Sequence, residues 1–133
     1  MKYLFKRYCK ILTLKDNSEL ISQYKEVHAI NKAWPEITQG MKEVGIIDME
    51  IYIHGNILFM IMETVADFDH NKNMKELASK PRQKEWENFV SRFQNTSIDS
   101  SAGGKWMLME RIYEMDQKTE FMAISGQIKK CIK

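Results

Sequence analysis

Two cysteines are all this chain contains, and Cys9 and Cys131 stand near opposite ends with neither C-x-x-C nor metal-ligand spacing. A disulfide-stapled scaffold and a cysteine zinc site are thereby excluded, and the pattern reads as reduced thiols in a cytoplasmic protein. Charge of one sign is missing too: 20 Lys and Arg offset 18 Asp and Glu to leave +2, with the signs interspersed. No basic stripe is available to follow a phosphate backbone, so nucleic acid is not an expected partner. No stretch approaches the roughly eighteen apolar residues of a membrane span. The basic N-terminus MKYLFKRYCKILTL lacks the unbroken apolar core of a signal peptide, so neither membrane insertion nor secretion is expected. GxGxxG, P-loop, HExxH and GxSxG motifs are also absent, as are internal repeats and low-complexity blocks. Nucleotide, zinc-protease and serine-hydrolase readings therefore have no support.

What is present is enough chain, 133 residues, to bury a core without disulfides or metal. The ten methionines fall mostly in apolar stretches, where Met fills irregular space. Lys6 to Leu14 reads as a first strand, rich in β-branched and aromatic residues. Asp16-Asn17-Ser18 supplies capping chemistry for a helix in which Leu20, Ile21, Tyr24, Val27 and His28 recur at helical spacing. Asn31 to Ala33 interrupts it, and Pro35 fits the first turn of a second helical piece with Ile37, Met41 and Val44 inward and Gly45 as its stop. Ile46 to His54, the turn Gly55-Asn56 and Ile57 to Glu63 read as a β-hairpin. The return strand is apolar at both parities, which predicts cover on both sheet faces.

Asp67 or Asp69 caps the next helical stretch, with Met74, Leu77 and Ala78 inward until Pro81. Trp86, Phe89, Val90 and Phe93 then form the apolar stripe of a piece from Gln83 to Phe93. Asn95 to Gly104 reads as a loop, and Lys105 to Met115 as a last strand. The order strand, helix, strand, strand, helix, strand predicts an α+β, ferredoxin-like βαββαβ domain over residues 1–115 with an antiparallel sheet. Its second apolar sheet face predicts a homodimer packed sheet against sheet, of the dimeric α/β-barrel type. Residues 116–133 form a C-terminal extension, with a possible short helix through Phe121, Met122 and Ile124 and a basic end.

Of three histidines, His54 beside the hairpin turn and His70 in the charged stretch DFDHNK read as solvated. His28 differs. It lies four residues after Tyr24, on the same helix face, and precedes Trp34-Pro35-Glu36. A group that titrates near neutral pH beside aromatic rings suits acid/base work on a small molecule whose apolar faces stack on them. The carboxylates Asp48, Glu50 and Glu63 sit in or beside strands, and parity alone leaves their direction open.

Tyr24-Lys25-Glu26-Val27-His28, Trp34-Pro35-Glu36, the strand pair Glu50 to Ile53 with Leu58 to Glu63, and Trp86 after Gln83 together resemble the L-rhamnose mutarotase family, from about Lys6 to Met115. The resemblance implies a dimeric ferredoxin-like fold and interconversion of the α and β anomers of a free sugar, L-rhamnose or a related 6-deoxy hexose, with no cofactor and no metal. It implies that His28 is the catalytic proton donor and that Tyr24 and Trp86 contact the substrate, with Trp34 shaping the pocket wall. Three features depart from the family pattern: a longer connection from Ala29 to Ala33, Glu85 before Trp86 where the family has tandem tryptophans, and Met49 where it has a tyrosine. Two other readings remain open on the same architecture: a non-catalytic sugar or small-molecule binding module, which the last two departures favour, and a cofactor-free monooxygenase of the dimeric α/β-barrel type.

Overall fold

A computed structural model describes residues 5–95 and 106–115. Its elements are β1 (Phe5–Thr13), α1 (Ser18–Val27), α2 (Pro35–Glu43), β2 (Ile46–His54), β3 (Ile57–Val65), α3 (His70–Ala78), α4 (Gln83–Ser91) and β4 (Met107–Leu108). The sheet is antiparallel, in the order β2-β3-β1-β4. This is the expected ferredoxin-like α+β arrangement, with each helical crossover built from two helices.

Local chemistry sets the element ends. The Asn17 side chain accepts from the Leu20 amide at 3.0 Å and Asp69 from the Lys72 amide at 3.1 Å, each satisfying an orphan N–H of a first turn. Of the two expected caps for α3, Asp69 is therefore the one used. Pro35 opens α2, and Gly45 follows it with φ 103°, where a Cβ would meet the Val65 side chain at 3.0 Å. Chain reversal there needs the glycine.

All four helices pack on one face of the sheet, where alternate strand residues point inward. Tyr8, Leu12, Leu58, Met60 and Met62 join Tyr24, Val44, Met74, Leu77 and Val90 in the buried core. Burying an aliphatic side chain of this kind contributes roughly 1.5–3 kcal/mol. Two lysines share that inward parity. Lys6 is buried and donates to the Phe68 carbonyl at 2.6 Å, and Lys10 is 1% exposed.

The opposite face carries Arg7, Cys9, Ile11, Phe59 and Ile61, all part-buried. Glu63 lies there in an ion pair with Arg7 at 2.9 Å, and Glu50 accepts from the Tyr52 hydroxyl at 3.1 Å. Asp48 pairs with Glu63 in the register that holds through His54, and a register shift ahead of it sets Ile46 opposite Thr64. Glu50 and Glu63 thus lie away from the helices, whereas Asp48 lines a hollow that Thr38, Met41 and Lys42 of α2 also line.

Two expectations need correction. The last strand does not run from Lys105 to Met115: among the described residues only Met107 and Leu108 pair with β1, followed by one more bond from the Met109 amide to the Cys9 carbonyl at 2.8 Å. Beyond it Arg111 turns to Glu114 at 3.2 Å, an i,i+3 contact that extended backbone does not make. Nor is His70 a solvated residue. Its ring lies 5.0 Å from that of Tyr8, and its Nε2 is buried with no protein partner among the described residues. Most of the Asn95 to Gly104 loop, Lys105, Cys131 and the tail after Met115 lie outside the described residues.

Candidate active site

Tyr24 is the buried residue of α1, and His28 closes that helix as its C-cap. The His28 Nδ1 stands 2.8 Å from the Tyr24 carbonyl oxygen. A carbonyl only accepts, so Nδ1 carries the hydrogen and the neutral ring keeps its lone pair on Nε2. The His28 ring leans on Tyr24 at 4.3 Å and meets Trp86 edge-on at 5.4 Å. Trp86 in turn meets Trp34 at 5.1 Å, Trp34 stacks on Phe89 at 5.6 Å, Phe89 meets Phe93 at 5.8 Å, and Phe93 meets Tyr24 at 5.7 Å. Six rings from α1, the start of α2 and α4 thus form a closed circuit that holds His28 from two sides.

The four residues singled out in the sequence, Tyr24, His28, Trp34 and Trp86, all line one cavity of about 140 Å3 between the sheet and the helices. A second hollow of about 380 Å3 beside it shares His28, Thr38, Met41, Met49 and Ile51, so His28 lies where the two meet. The floor of the cavity is Lys10, Met49, Ile51, Met60 and Met62 of the sheet. Met49 therefore occupies a lining position, whereas Glu85 does not. Glu85 points outward and grips Arg82 at 2.9 and 3.0 Å, and the Arg82 guanidinium lies 4.2 Å from the Trp34 ring centroid. The departure from tandem tryptophans at this position supplies a clamp on Trp34 from outside. In the longer connection after His28, Asn31 takes a left-handed φ of 69° and Ala33 reaches the cavity.

The cavity also has a polar side that sequence reasoning missed. Lys10, Gln83, Glu87 and Gln94 line it, with Trp106 from just before β4. Gln83 donates to Glu87 at 2.8 Å, while the Oε1 atoms of Gln83 and Gln94 are buried with no donor among the described residues. Buried acceptors in that condition suit a ligand rich in hydroxyls. Lys10 carried a readable signal, a charge at the same inward parity as Tyr8 and Leu12. The partners on α4 lie too far along the chain for any local pattern to have joined them.

Burial sets the protonation states. Desolvation lowers the His28 pKa below its ordinary value, opposed by its bond to the Tyr24 backbone, so the ring is neutral at neutral pH. Desolvation lowers Lys10 to about 8, with Glu87 pulling it back up. Tyr24 is raised by burial above the ordinary phenol range and stays protonated. No cluster of His, Cys, Asp or Glu able to hold a metal ion is found among the described residues, and none of their helices is long and apolar enough to cross a membrane.

The family model for L-rhamnose mutarotase matches residues 7–115. This chain belongs to the L-rhamnose mutarotase family. An L-fucose mutarotase from Xanthomonas campestris pv. campestris is 33% identical over 111 residues, covering 84% of this chain and 89% of that protein. An L-rhamnose mutarotase from Flavobacterium johnsoniae is 29% identical over 106 residues, covering 78% and 92%. The crystal structure of an L-rhamnose mutarotase from Formosa agariphila superposes with a TM-score of 0.61 at 22% identity, over 83% of this chain and 98% of that one. That likeness supports the ferredoxin-like fold. Sugar mutarotation, an isomerase activity, is the function these matches indicate, and they favour neither the binding-module nor the monooxygenase reading.

Proposed function

We propose that this chain interconverts the α and β anomers of a free 6-deoxy hexose, L-rhamnose or L-fucose, with His28 exchanging protons at the anomeric centre. The observation that carries the reading is the 2.8 Å approach of His28 Nδ1 to the Tyr24 carbonyl: a carbonyl only accepts, so Nδ1 holds the hydrogen and Nε2 is left for the cavity. Opening a pyranose removes a proton from the anomeric hydroxyl and delivers one to the ring oxygen, and closing it on the other face of C1 reverses both transfers. A group that accepts a proton in one half-reaction and returns it in the other needs a pKa near the working pH, which imidazole has. Tyr24 and Trp86 would contact the sugar, and Trp34 would hold the wall against which Trp86 rests. The buried Oε1 atoms of Gln83 and Gln94 would take sugar hydroxyls.

The protein is further read as a cytoplasmic homodimer whose outer sheet face, with Ile11, Phe59 and Ile61, packs on its copy. The exposed Ile112, Tyr113 and Met115, at 91%, 74% and 82%, add apolar surface for the same purpose. The end of the family match at residue 115 supports residues 1–115 as the catalytic domain and 116–133 as an appended segment.

Saturation-difference NMR on equilibrated L-rhamnose, L-fucose and a panel of other aldoses tests the reading. Accelerated exchange between anomer signals is expected for at least one 6-deoxy hexose; no acceleration with any sugar would reject it.

A further inference from the structure

Among the ionisable groups on the cavity lining, His28 and Lys10 reach it from opposite sides. His28 enters from the end of α1, while Lys10 comes up from the middle of β1 with its side chain almost wholly enclosed, at 1% exposure. Among the described residues its ammonium makes no ion pair; Lys6, two turns of the pleat away, instead satisfies its own by donating to the Phe68 carbonyl. Glu87 lines the same cavity and favours the charge without pairing directly with it; burying an ammonium in that condition is costly, and a core position of this shape would take Met or Leu more stably. A charge retained there against stability marks a functional position.

We propose that Lys10 is the second catalytic residue, the acid that protonates the sugar ring oxygen while His28 takes the anomeric proton. This rests on the mutarotase reading above and assigns a partner that His28 alone does not supply. In the opening step, His28 Nε2 accepts the proton of the C1 hydroxyl, the C1–O5 bond breaks as C1=O forms, and the Lys10 ammonium gives a proton to O5. The aldehyde rotates about C1–C2. In closing, the O5 hydroxyl attacks the other face of C1 and returns its proton to the Lys10 amine, while His28 returns its own to O1. Both residues end as they began, and no cofactor or co-reactant is consumed.

The protonation states agree with these roles. His28 is held neutral and fit to accept, and Lys10, at about 8, is charged at neutral pH and a far better acid than a solvated lysine. Environments that push two groups apart in this way are how a site fields an acid and a base together. The charged and titratable groups facing Lys10 are Glu87 from α4, which raises it, and His70 from α3, which its charge lowers. Tyr24 and His28 of α1 complete the set around the cavity. Tyr24 and Tyr8 are both raised by burial, the latter to about 12, so neither titrates near 8.

The test uses the full chain, L-rhamnose and L-fucose, and the variants Lys10→Met and Lys10→Gln. Wild-type exchange, corrected for the uncatalysed rate, should fall as pH rises through about 8, and Lys10→Met should lower it roughly 100-fold at pH 7 and abolish that alkaline limb. Lys10→Met should melt at or above the wild-type temperature, because a lysine kept only for structure would melt lower when replaced. Exchange within twofold of wild type in Lys10→Met or Lys10→Gln, with the limb retained, would overturn the role of Lys10 and leave the mutarotase reading standing. Should neither variant fold, a wild-type profile flat from pH 7 to pH 9.5 would overturn it alone. A wild type that accelerates no sugar overturns both.

Discussion

The His28 Nδ1 and the Tyr24 backbone carbonyl lie 2.8 Å apart, one helical turn from each other, with their rings 4.3 Å apart. The helix end therefore orients its own proton carrier: the last turn of α1 has carbonyls to spare, and His28 spends one nitrogen on such a group. Asn in place of His28 retains an N–H able to reach that carbonyl but has no titratable nitrogen. His28→Asn should lower anomer exchange by about 100-fold or more while changing stability by less than about 1 kcal/mol. NMR exchange rates and thermal melts of the same samples check this, and undiminished exchange would remove His28 from the chemistry.

The acid side of the pH profile carries the complementary expectation. Burial lowers the His28 pKa below 6.5, and the neutral ring is the form that accepts a proton. Activity should fall on acidification with a midpoint below the ordinary histidine value. A midpoint above 6.5 in exchange rates measured from pH 4.5 to 7.5 would contradict this.

Trp86 touches His28 and Trp34 at once, and Arg82 covers Trp34 from outside. Loss of an aromatic platform for a sugar face costs on the order of 1–1.5 kcal/mol, so Trp86→Ala should raise KM about tenfold. Arg82→Ala removes an exposed cation–π contact worth about 0.5–1 kcal/mol and no lining group, and should shift KM less than threefold. Tryptophan fluorescence titrated with sugar reads both; equal effects would mean the Trp34 clamp matters as much as the platform.

His70 provides a stability prediction separate from activity. Burial, first, and the charge of Lys10 lower its pKa to about 4, against 6.5 in the unfolded chain. Between those values the unfolded state binds more protons, so stability is fully present above pH 6.5 and declines as pH falls toward 4. His70→Phe keeps a ring against Tyr8 without the titration or the unpartnered Nε2. Its denaturation midpoint should decline less than that of the wild type between pH 6.5 and 4.5; parallel curves would exclude His70 as the source.

The outer sheet face predicts association. Ile61→Lys, between Cys9 and Glu50 in the ladder, places a charge at its centre without touching the helix side. Sedimentation should show a dimer for the wild type and a folded monomer for the variant. A monomeric wild type would reject the homodimer.

The strands and helices were legible because each is written in local terms: a period of two or 3.6, Asn17 and Asp69 as caps, Pro35 and Gly45 as punctuation. The Tyr24/His28 pair was legible for the same reason, since four residues on a helix is a fixed distance. The end of the chain read less well. KWMLMERIYEM alternates as a strand does, yet whether β1 has room for it along its whole edge is a matter of pairing, and the ladder stops after Leu108.

Sequence alone determined the α+β order, the helix that carries His28, and the family to which four short motifs pointed. Tertiary structure alone decided which polar groups share the cavity. Strand parity placed Lys10 on the same face as Tyr8 and Leu12, but parity does not say whether that face meets a dry core or a pocket. Only the packing of α4 and the residues after it across the sheet brings Gln83, Glu87 and Gln94 over Lys10, and only the packing of α2 beside β2 sets Asp48 on the hollow that His28 also lines. Side chains some 75 residues apart meet through the sum of many weak packing choices, and no local pattern encodes that sum.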